Sequence, residues 1–200
     1  MSEPTGRLGA VVLAGGRSSR FGRDKLAEVI DGRPLLEHAI AAVQAVGPDI
    51  DIVVVVAPDA QPALPPGVRL THDARAFEGP LAGLVAGLAS FAATIERVLV
   101  VGGDQPTLVP EVLRLLLDAL GDGAAAAAAV LEIDGRPHPL PMAVRREPGV
   151  ARAAALLATG ERRLRALPEA LHARVVAEDA WRALDPDGRS ARDVDVPGDL

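Results

Sequence analysis

The sequence predicts an α/β fold, built as a single domain over residues 1–200 around a mostly parallel sheet with helices on both faces. Three observations carry this. Short valine-rich apolar runs alternate with stretches of helical periodicity along the chain. The apolar runs stop abruptly at glycine or proline, as buried parallel strands do. Late in the chain an Asp-Gly pair separates two further strand-like segments, which places at least one antiparallel strand in the C-terminal half. There is no linker long enough to divide the chain and no repeat of fixed period.

The first strand is Leu8 to Leu13, ending before Gly15 and Gly16. Asp31-Gly32 then forms a turn, Pro34 takes a first helical position, and Leu35, Leu36, Ala39, Ile40 and Val43 recur at helical spacing before Gly47. The clearest strand is DIVVVVAP, ended by Pro58, and a proline-rich connector leads to a short strand, VRLTHD, that runs to Asp73. A second helix starts at Pro80 and aligns Leu81, Leu84, Val85 and Leu88. RVLVVGGDQP is a third strong strand, and a helix from about Glu111 to Leu120 follows Pro110.

Residues 121–144 pull two ways. Alanine favours helix, so Ala124 to Ala129 alone reads as helical. Val130 to Ile133 and the Asp134-Gly135 turn favour a strand, a hairpin and a second strand carrying Met142 to Val144. Pro139 and Pro141 suit an edge or a bulge there. A helical stretch from about Gly149 to Leu167, interrupted at Gly160, leads to a last strand in ARVVAED, and an acidic turn, RDVDVPGDL, closes the chain.

Composition narrows the function. A net charge of −6 argues against broad nucleic-acid binding, and 2% aromatic residues leave no base-stacking platform. The absence of cysteine removes disulfides, thiolate catalysis and zinc–sulfur sites. No apolar run reaches the ~20 residues of a membrane helix, and the polar start lacks the order of a signal peptide, so a cytoplasmic protein without membrane contact is expected. A monomer is expected too.

In parallel sheets ligands bind at the carboxyl ends of strands. Leu13, Ala14, Gly15, Gly16, Arg17, Arg20 and Lys25 follow the first strand, Asp73 the third and Asp104 the fourth. Glycines there let backbone N–H groups approach a phosphate, or they only turn the chain. Lys25 could fold back over a triphosphate. Asp104 is a candidate Mg²⁺ ligand with Asp195 as a second carboxylate and Asp193 nearby, but an aspartate at either place also suits a helix cap or turn. Asp73 could accept from a ribose hydroxyl or a guanine edge. Gly79, Pro80 and Leu81 open a helix whose small residues admit a flat base or sugar, or simply pack closely on the sheet. The spacing matches neither a P-loop nor Gly-x-Gly-x-x-Gly. His38, His72 and His172 show no metal spacing, and His138 among prolines is structural.

Taken in order, LAGGRSSRFGRDK, GPLAGL, GGDQP, HPLPMAVRR, GERRLRAL and DVDVPGDL resemble the molybdenum-cofactor guanylyltransferase family, from Leu13 to Leu200. The resemblance implies a Rossmann-like three-layer fold, GTP as donor, Mg²⁺, and transfer of GMP to the terminal phosphate of molybdopterin with release of pyrophosphate. It implies backbone contacts from Leu13, Ala14 and Gly15, phosphate contacts from Lys25, a nucleoside contact from Asp73 and the metal on Asp104. Arg20 joins Lys25 and Asp104 in the catalytic set. Arg145, Arg162 or Arg163 would grip the pterin, and molybdoenzymes or their chaperones would be partners. The chain departs from the family in lacking an asparagine near VVVVAPD, in Gly103 where cysteine is common, and in Phe21 for methionine. It also carries Asp193 and Asp195 where asparagines are common, so the metal reading rests first on Asp104. Transfer from CTP, another phosphorylated acceptor such as a sugar phosphate, and a non-catalytic nucleotide-binding adaptor stay open.

Overall fold

The computed structural model describes residues 7–15, 28–73, 79–121 and 126–193. The strands among these residues are β1 (Arg7–Leu13), β2 (Val29–Ile30), β3 (Arg33–Pro34), β4 (Asp51–Val56), β5 (Arg69–His72), β6 (Ile95–Gly102), β7 (Ala128–Ile133), β8 (Arg136–Arg145) and β9 (Arg174–Val176). The helices are α1 (Leu35–Gln44), α2 (Pro80–Ala89), α3 (Pro110–Ala119), α4 (Arg146–Ala158), α5 (Ala166–Ala170) and α6 (Glu178–Arg182), followed by a 3-10 turn at Arg189–Ala191. Seven strands form one sheet in the order β5-β4-β1-β6-β8-β7-β9, and β2 and β3 make a small separate hairpin. Within the seven, β8 is antiparallel to both of its neighbours while every other pairing is parallel. This is the mixed α/β sheet that the sequence predicts.

The strands owe their place to residues that are apolar on both sides. In β4, Ile52, Val54 and Val56 join a core on one face of the sheet, and Val53 and Val55 join the core on the other. β6 divides likewise, with Leu99 and Val101 on one side and Val98 and Val100 on the opposite one. The period of two thus splits each valine run between two layers. The first core is closed by Leu36, Ile40 and Val43 of α1, by Val112, Leu113 and Leu116 of α3, and by Trp181 of α6. The second is closed by Leu81, Leu84 and Leu88 of α2, Ala153 of α4 and Leu167 of α5. Gly87 of α2 sits so close to the sheet that a Cβ there would lie 2.8 Å from Val11 and 2.9 Å from Val55.

Several local expectations are met with shifts. Asp31 and Gly32, at φ 49° and 80°, turn the β2–β3 hairpin, and Pro34 stands at the cap of α1 rather than inside it. The alanine run enters the sheet as β7 from Ala128 onward, where β8 and β9 flank it and supply backbone partners that an isolated helix would not need. β8 is interior rather than an edge. Its prolines are accommodated because the pairing with β7 jumps from Val130–Met142 to Leu131–His138, so Pro139 and Pro141 fall in a bulge. The pairing of β8 with β6 covers only 142–145. α4 begins three residues earlier than expected, at Arg146, with Pro148 in its first turn where a missing N–H is harmless. Residues 161–165 are not helical. α6 and the 3-10 turn carry no strong periodic signal in the sequence and were not anticipated by it.

Candidate active site

Four adjacent parallel strands end on one edge of the sheet. Leu13 pairs with Val55 on one side and Gly102 on the other, and Val56 pairs with His72. Hydrogen bonds carry the ladder one step beyond the strands. Ala14 N–H donates to Val55 O at 2.8 Å, Gly103 N–H to Leu13 O at 2.9 Å and Asp73 N–H to Val56 O at 2.9 Å. Ala14, Asp73 and Gly103 are therefore fixed by backbone bonds, with Gly15 and Asp104 one residue further out. The chain passes from β1 to β4 and β5 on one side, then crosses to β6 on the other, so β1 stands at the point where the strand order reverses, where α/β sheets open a crevice. β5 lies two strands from β1, roughly 10 Å away at the usual strand spacing, about the span from a phosphate chain to its nucleoside.

The glycines on this edge divide by what the protein asks of them. Gly79, the N-cap of α2, has φ 89° and ψ 170°, and a Cβ there would lie 2.8 Å from the Arg162 carbonyl oxygen. A Cβ at Gly102 would lie 2.5 Å from Asp104 Oδ1, because the Asp104 carboxylate folds back over the strand end. Gln105 shapes that turn: it is almost fully buried and its Oε1 accepts the Gly102 N–H at 2.8 Å. Gly15 differs. It is exposed, and a Cβ there would meet backbone atoms of Val56 and Ala57 only at an ordinary 3.7 Å. Among the described residues nothing requires glycine at 15.

Asp104 does not cap α3, whose cap residue is Val109 and which has no side-chain cap bond. Leu81 is fully buried in the core, so at the head of α2 only backbone and the exposed Pro80 face outward. Gly16, Arg17, Arg20, Lys25 and Asp195 lie outside the described residues, while Asp193 is the last of them. Among the described residues no group of three or more His, Asp or Glu side chains could cage a metal.

The three arginines considered for the acceptor separate. Arg145 is at the opposite edge, paired with Arg97 near the start of β6. Its guanidinium donates to the carbonyls of Ala126 (3.0 Å), Leu120 (3.3 Å) and Gly121 (2.7 Å), so it fastens the end of α3 and does not reach a ligand at the carboxyl edge. Arg162 turns its guanidinium onto the carbonyls of Leu157 and Glu161, both at 3.0 Å. Arg163 is gripped by Glu161 through two bonds of 2.9 and 2.6 Å. Glu161 also accepts the backbone N–H groups of Arg162 and Arg163 at 2.8 and 2.9 Å. The Arg163 guanidinium first, and then these amides, hold the Glu161 carboxyl well below the usual range, and the same pairing raises the pKa of Arg163.

Beside this loop lies a cavity of about 670 Å³, which sequence reasoning missed because its walls come from three distant segments. Arg136, Pro137 and Pro139 of β8 form one wall, Glu161 and Arg163 another, and Arg165 and His172 a third. β8 runs against β6, so its first residues project past the carboxyl edge. The Arg162 backbone, next to Arg163 of the cavity wall, packs against Gly79 at the cap of α2.

A parallel sheet whose strand ends gather a glycine turn, two carboxylates and a helix N-terminus defines an α/β protein of the nucleotide-handling class. Residues 10–175 match the MobA-like NTP transferase domain, and the chain belongs to that family of nucleotidyltransferases. It is 34% identical over 196 residues to a Chloroflexus aggregans protein named "probable molybdenum cofactor guanylyltransferase", covering 96% of this chain and 91% of that one. A Deinococcus radiodurans protein of the same name is 39% identical over 158 residues, covering 79% and 77%. The fold is shared with the crystal structure of molybdopterin-guanine dinucleotide biosynthesis protein A from Archaeoglobus fulgidus, at a TM-score of 0.75 and 22% identity, covering 96% of this chain and 94% of that one.

Proposed function

We propose that this nucleotidyltransferase moves a guanylyl group from GTP to the terminal phosphate of molybdopterin, releasing pyrophosphate, with the whole chain acting as one domain. The observation that carries this reading is the convergence of Ala14–Gly15, Asp73 and Asp104 on the ends of adjacent parallel strands. Among the described residues no atom forbids a side chain at Gly15, and a glycine there suits the close approach of a phosphate.

Backbone amides from Ala14 onward would receive the triphosphate, with Lys25 and Arg20 drawing off charge, and Asp73 would hold the nucleoside. Asp104 fits a magnesium ion, which takes one or two carboxylates and completes its shell with phosphate oxygens and water. Bound there, Mg²⁺ would neutralise charge on the phosphates and on the departing pyrophosphate. An oxygen of the acceptor phosphate attacks the α-phosphorus in line, and the bond to the β-phosphate breaks. That oxygen is already ionised near neutral pH, so the protein's part is positioning rather than proton removal. The acceptor is assigned to the cavity where Arg136 and Arg165 stand beside Pro137, Pro139 and Pro168, with Glu161 and Glu169 also in its wall: guanidinium groups for the phosphate, proline rings for the pterin.

Thermal stabilisation by GTP, CTP, ATP and UTP, each with and without Mg²⁺, tests the assignment. Selective binding raises stability by RT ln(1 + [L]/Kd). GTP with Mg²⁺ is expected to give the largest shift. A shift with CTP alone would reassign the donor, and no shift with any nucleotide would leave the adaptor and every transferase reading without a substrate.

A further inference from the structure

The C-terminal stretch makes buried polar contacts that take no part in the chemistry above. After β9, at the far edge of the sheet, α6 and the 3-10 turn bring the chain back across β7 and β8 to the loop 103–109, directly downstream of Asp104. There the Val109 N–H donates to Ser190 Oγ at 3.0 Å, and Thr107 Oγ1 donates to the Arg189 carbonyl at 2.9 Å. Ser190 is fully buried. Asp185, 1% exposed, accepts the Ser190 N–H on Oδ2 at 2.7 Å and so fixes the turn that presents that hydroxyl. Among the described residues its other oxygen has no hydrogen-bond partner, and it lies 3.6 Å from Arg189 Nε.

Buried serine and aspartate are uncommon unless their bonds matter to the fold or to a site. Here those bonds converge on one short loop. Upstream, the loop is held by Gln105 on Gly102. Downstream, α3 has no side-chain cap of its own, and the N–H of its cap residue is taken by Ser190. A residue 81 positions away thus fixes the second end of the Asp104 loop.

We propose that Thr107, Ser190 and Asp185 are positioning residues for the transfer: they fasten the C-terminal return to the loop 103–109 and thereby hold the Asp104 carboxylate in one place. This rests on the reading of Asp104 as the residue that meets the metal-bound triphosphate. Since Ala14, Gly15 and Asp73 sit on other strand ends, loosening the tie lowers kcat and weakens Mg²⁺ dependence while leaving nucleotide capture largely intact.

The test uses Thr107→Val, whose exposed site spares the core, with Thr107→Ser as the conservative partner and Ser190→Ala as the buried counterpart. Pyrophosphate release gives kcat and KM for GTP, and calorimetric titration gives nucleotide affinity with and without Mg²⁺. We expect Thr107→Val and Ser190→Ala to lower kcat per folded molecule at least fivefold, to keep nucleotide affinity measured without Mg²⁺ within twofold, and to shrink the gain in affinity that Mg²⁺ brings. Thr107→Ser should return both readouts to within twofold of wild type. Wild-type kcat per folded molecule in both variants, with an unchanged Mg²⁺ effect on binding, overturns the proposal and leaves a purely structural tie. Wild-type protein that binds no nucleoside triphosphate overturns the functional reading instead.

Discussion

Replacing Gly79 by alanine separates two demands that the structure places on one residue. At φ 89° and ψ 170° the backbone occupies a region that is essentially glycine's alone, where a residue with Cβ is strained by about 1–3 kcal/mol. The added Cβ would also press on the Arg162 carbonyl oxygen at 2.8 Å and on Arg162 Cβ at 3.2 Å. The loop 161–163 cannot yield freely, because Glu161 and the Arg162 guanidinium tie it in three hydrogen bonds to its own backbone and in a fourth to the Leu157 carbonyl of α4. Overpacking of this kind adds about 1–3 kcal/mol. The sum is a loss of roughly 2–6 kcal/mol, a large part of a typical domain's stability. Gly160 supplies the control: it too has φ 89°, but nothing lies within 4 Å of a Cβ built there. Gly160→Ala should therefore show the backbone strain alone, roughly 1–3 kcal/mol. Equilibrium urea unfolding, followed through the single, fully buried Trp181, measures both. Equal midpoint shifts in the two variants would show that the Arg162 contact carries no energy, and with it would go the argument that the loop 161–163 is seated against α2.

Asp104→Ala should abolish pyrophosphate release while the unfolding midpoint stays near wild type; near wild-type turnover would remove Asp104 from the metal. Replacing Lys25 by alanine should slow turnover at least tenfold, ~1.4 kcal/mol of barrier, and an unaffected rate refutes its role. Asp185 links stability to pH. Burial alone would raise its pKa, but the backbone amides of Ser190 and Arg189, the Ser190 hydroxyl and the Arg189 charge together hold it below its ordinary value of 3.8. A carboxyl depressed on folding stabilises above its unfolded pKa and loses that contribution as pH falls through the folded one. Acid unfolding of wild type and Asp185→Asn should therefore converge below about pH 4. A stability difference that changes between pH 5 and 8 would contradict that assignment.

The sheet was legible because valine runs leave little else to a backbone that must be buried on both sides. Ala128 and Ala129 show where propensity yields: alanine prefers helix, but flanking strands β8 and β9 offered paired backbone, and the turn at Asp134-Gly135, with φ of 50° and 72°, set the direction. The prolines at 139 and 141 marked a bulge correctly, though not that β8 is interior, since strand order is a property of the whole sheet. Ala14, Asp73 and Asp104 were placed by the rule that parallel strands share a carboxyl edge. Gln105 was missed because a buried amide behind a strand end has no periodic signature. Arg145 was misjudged for a related reason: in sequence it is one more cation, and only the sheet register puts it at the far edge. The cavity is assembled from segments whose proximity no local pattern encodes. The readings of Gly16, Arg17, Arg20, Lys25 and Asp195 fall outside the described residues and stand as proposals.

The bond between Val109 and Ser190 also has a meaning in time. A chain made from its N-terminus presents Val109 81 residues before Ser190 exists, an interval of about 4–16 s at 5–20 residues per second. The four parallel strands and their edge lie wholly in the earlier part. Closing so long a loop adds only modestly to the entropic penalty, which grows with the logarithm of its length, so what the distance imposes is an order of assembly. The carboxyl edge of those strands can form first, and the downstream end of the Asp104 loop is fastened last. A nascent chain, or one clipped ahead of Ser190, would thus carry the strand edge intact with that end of the loop still untied.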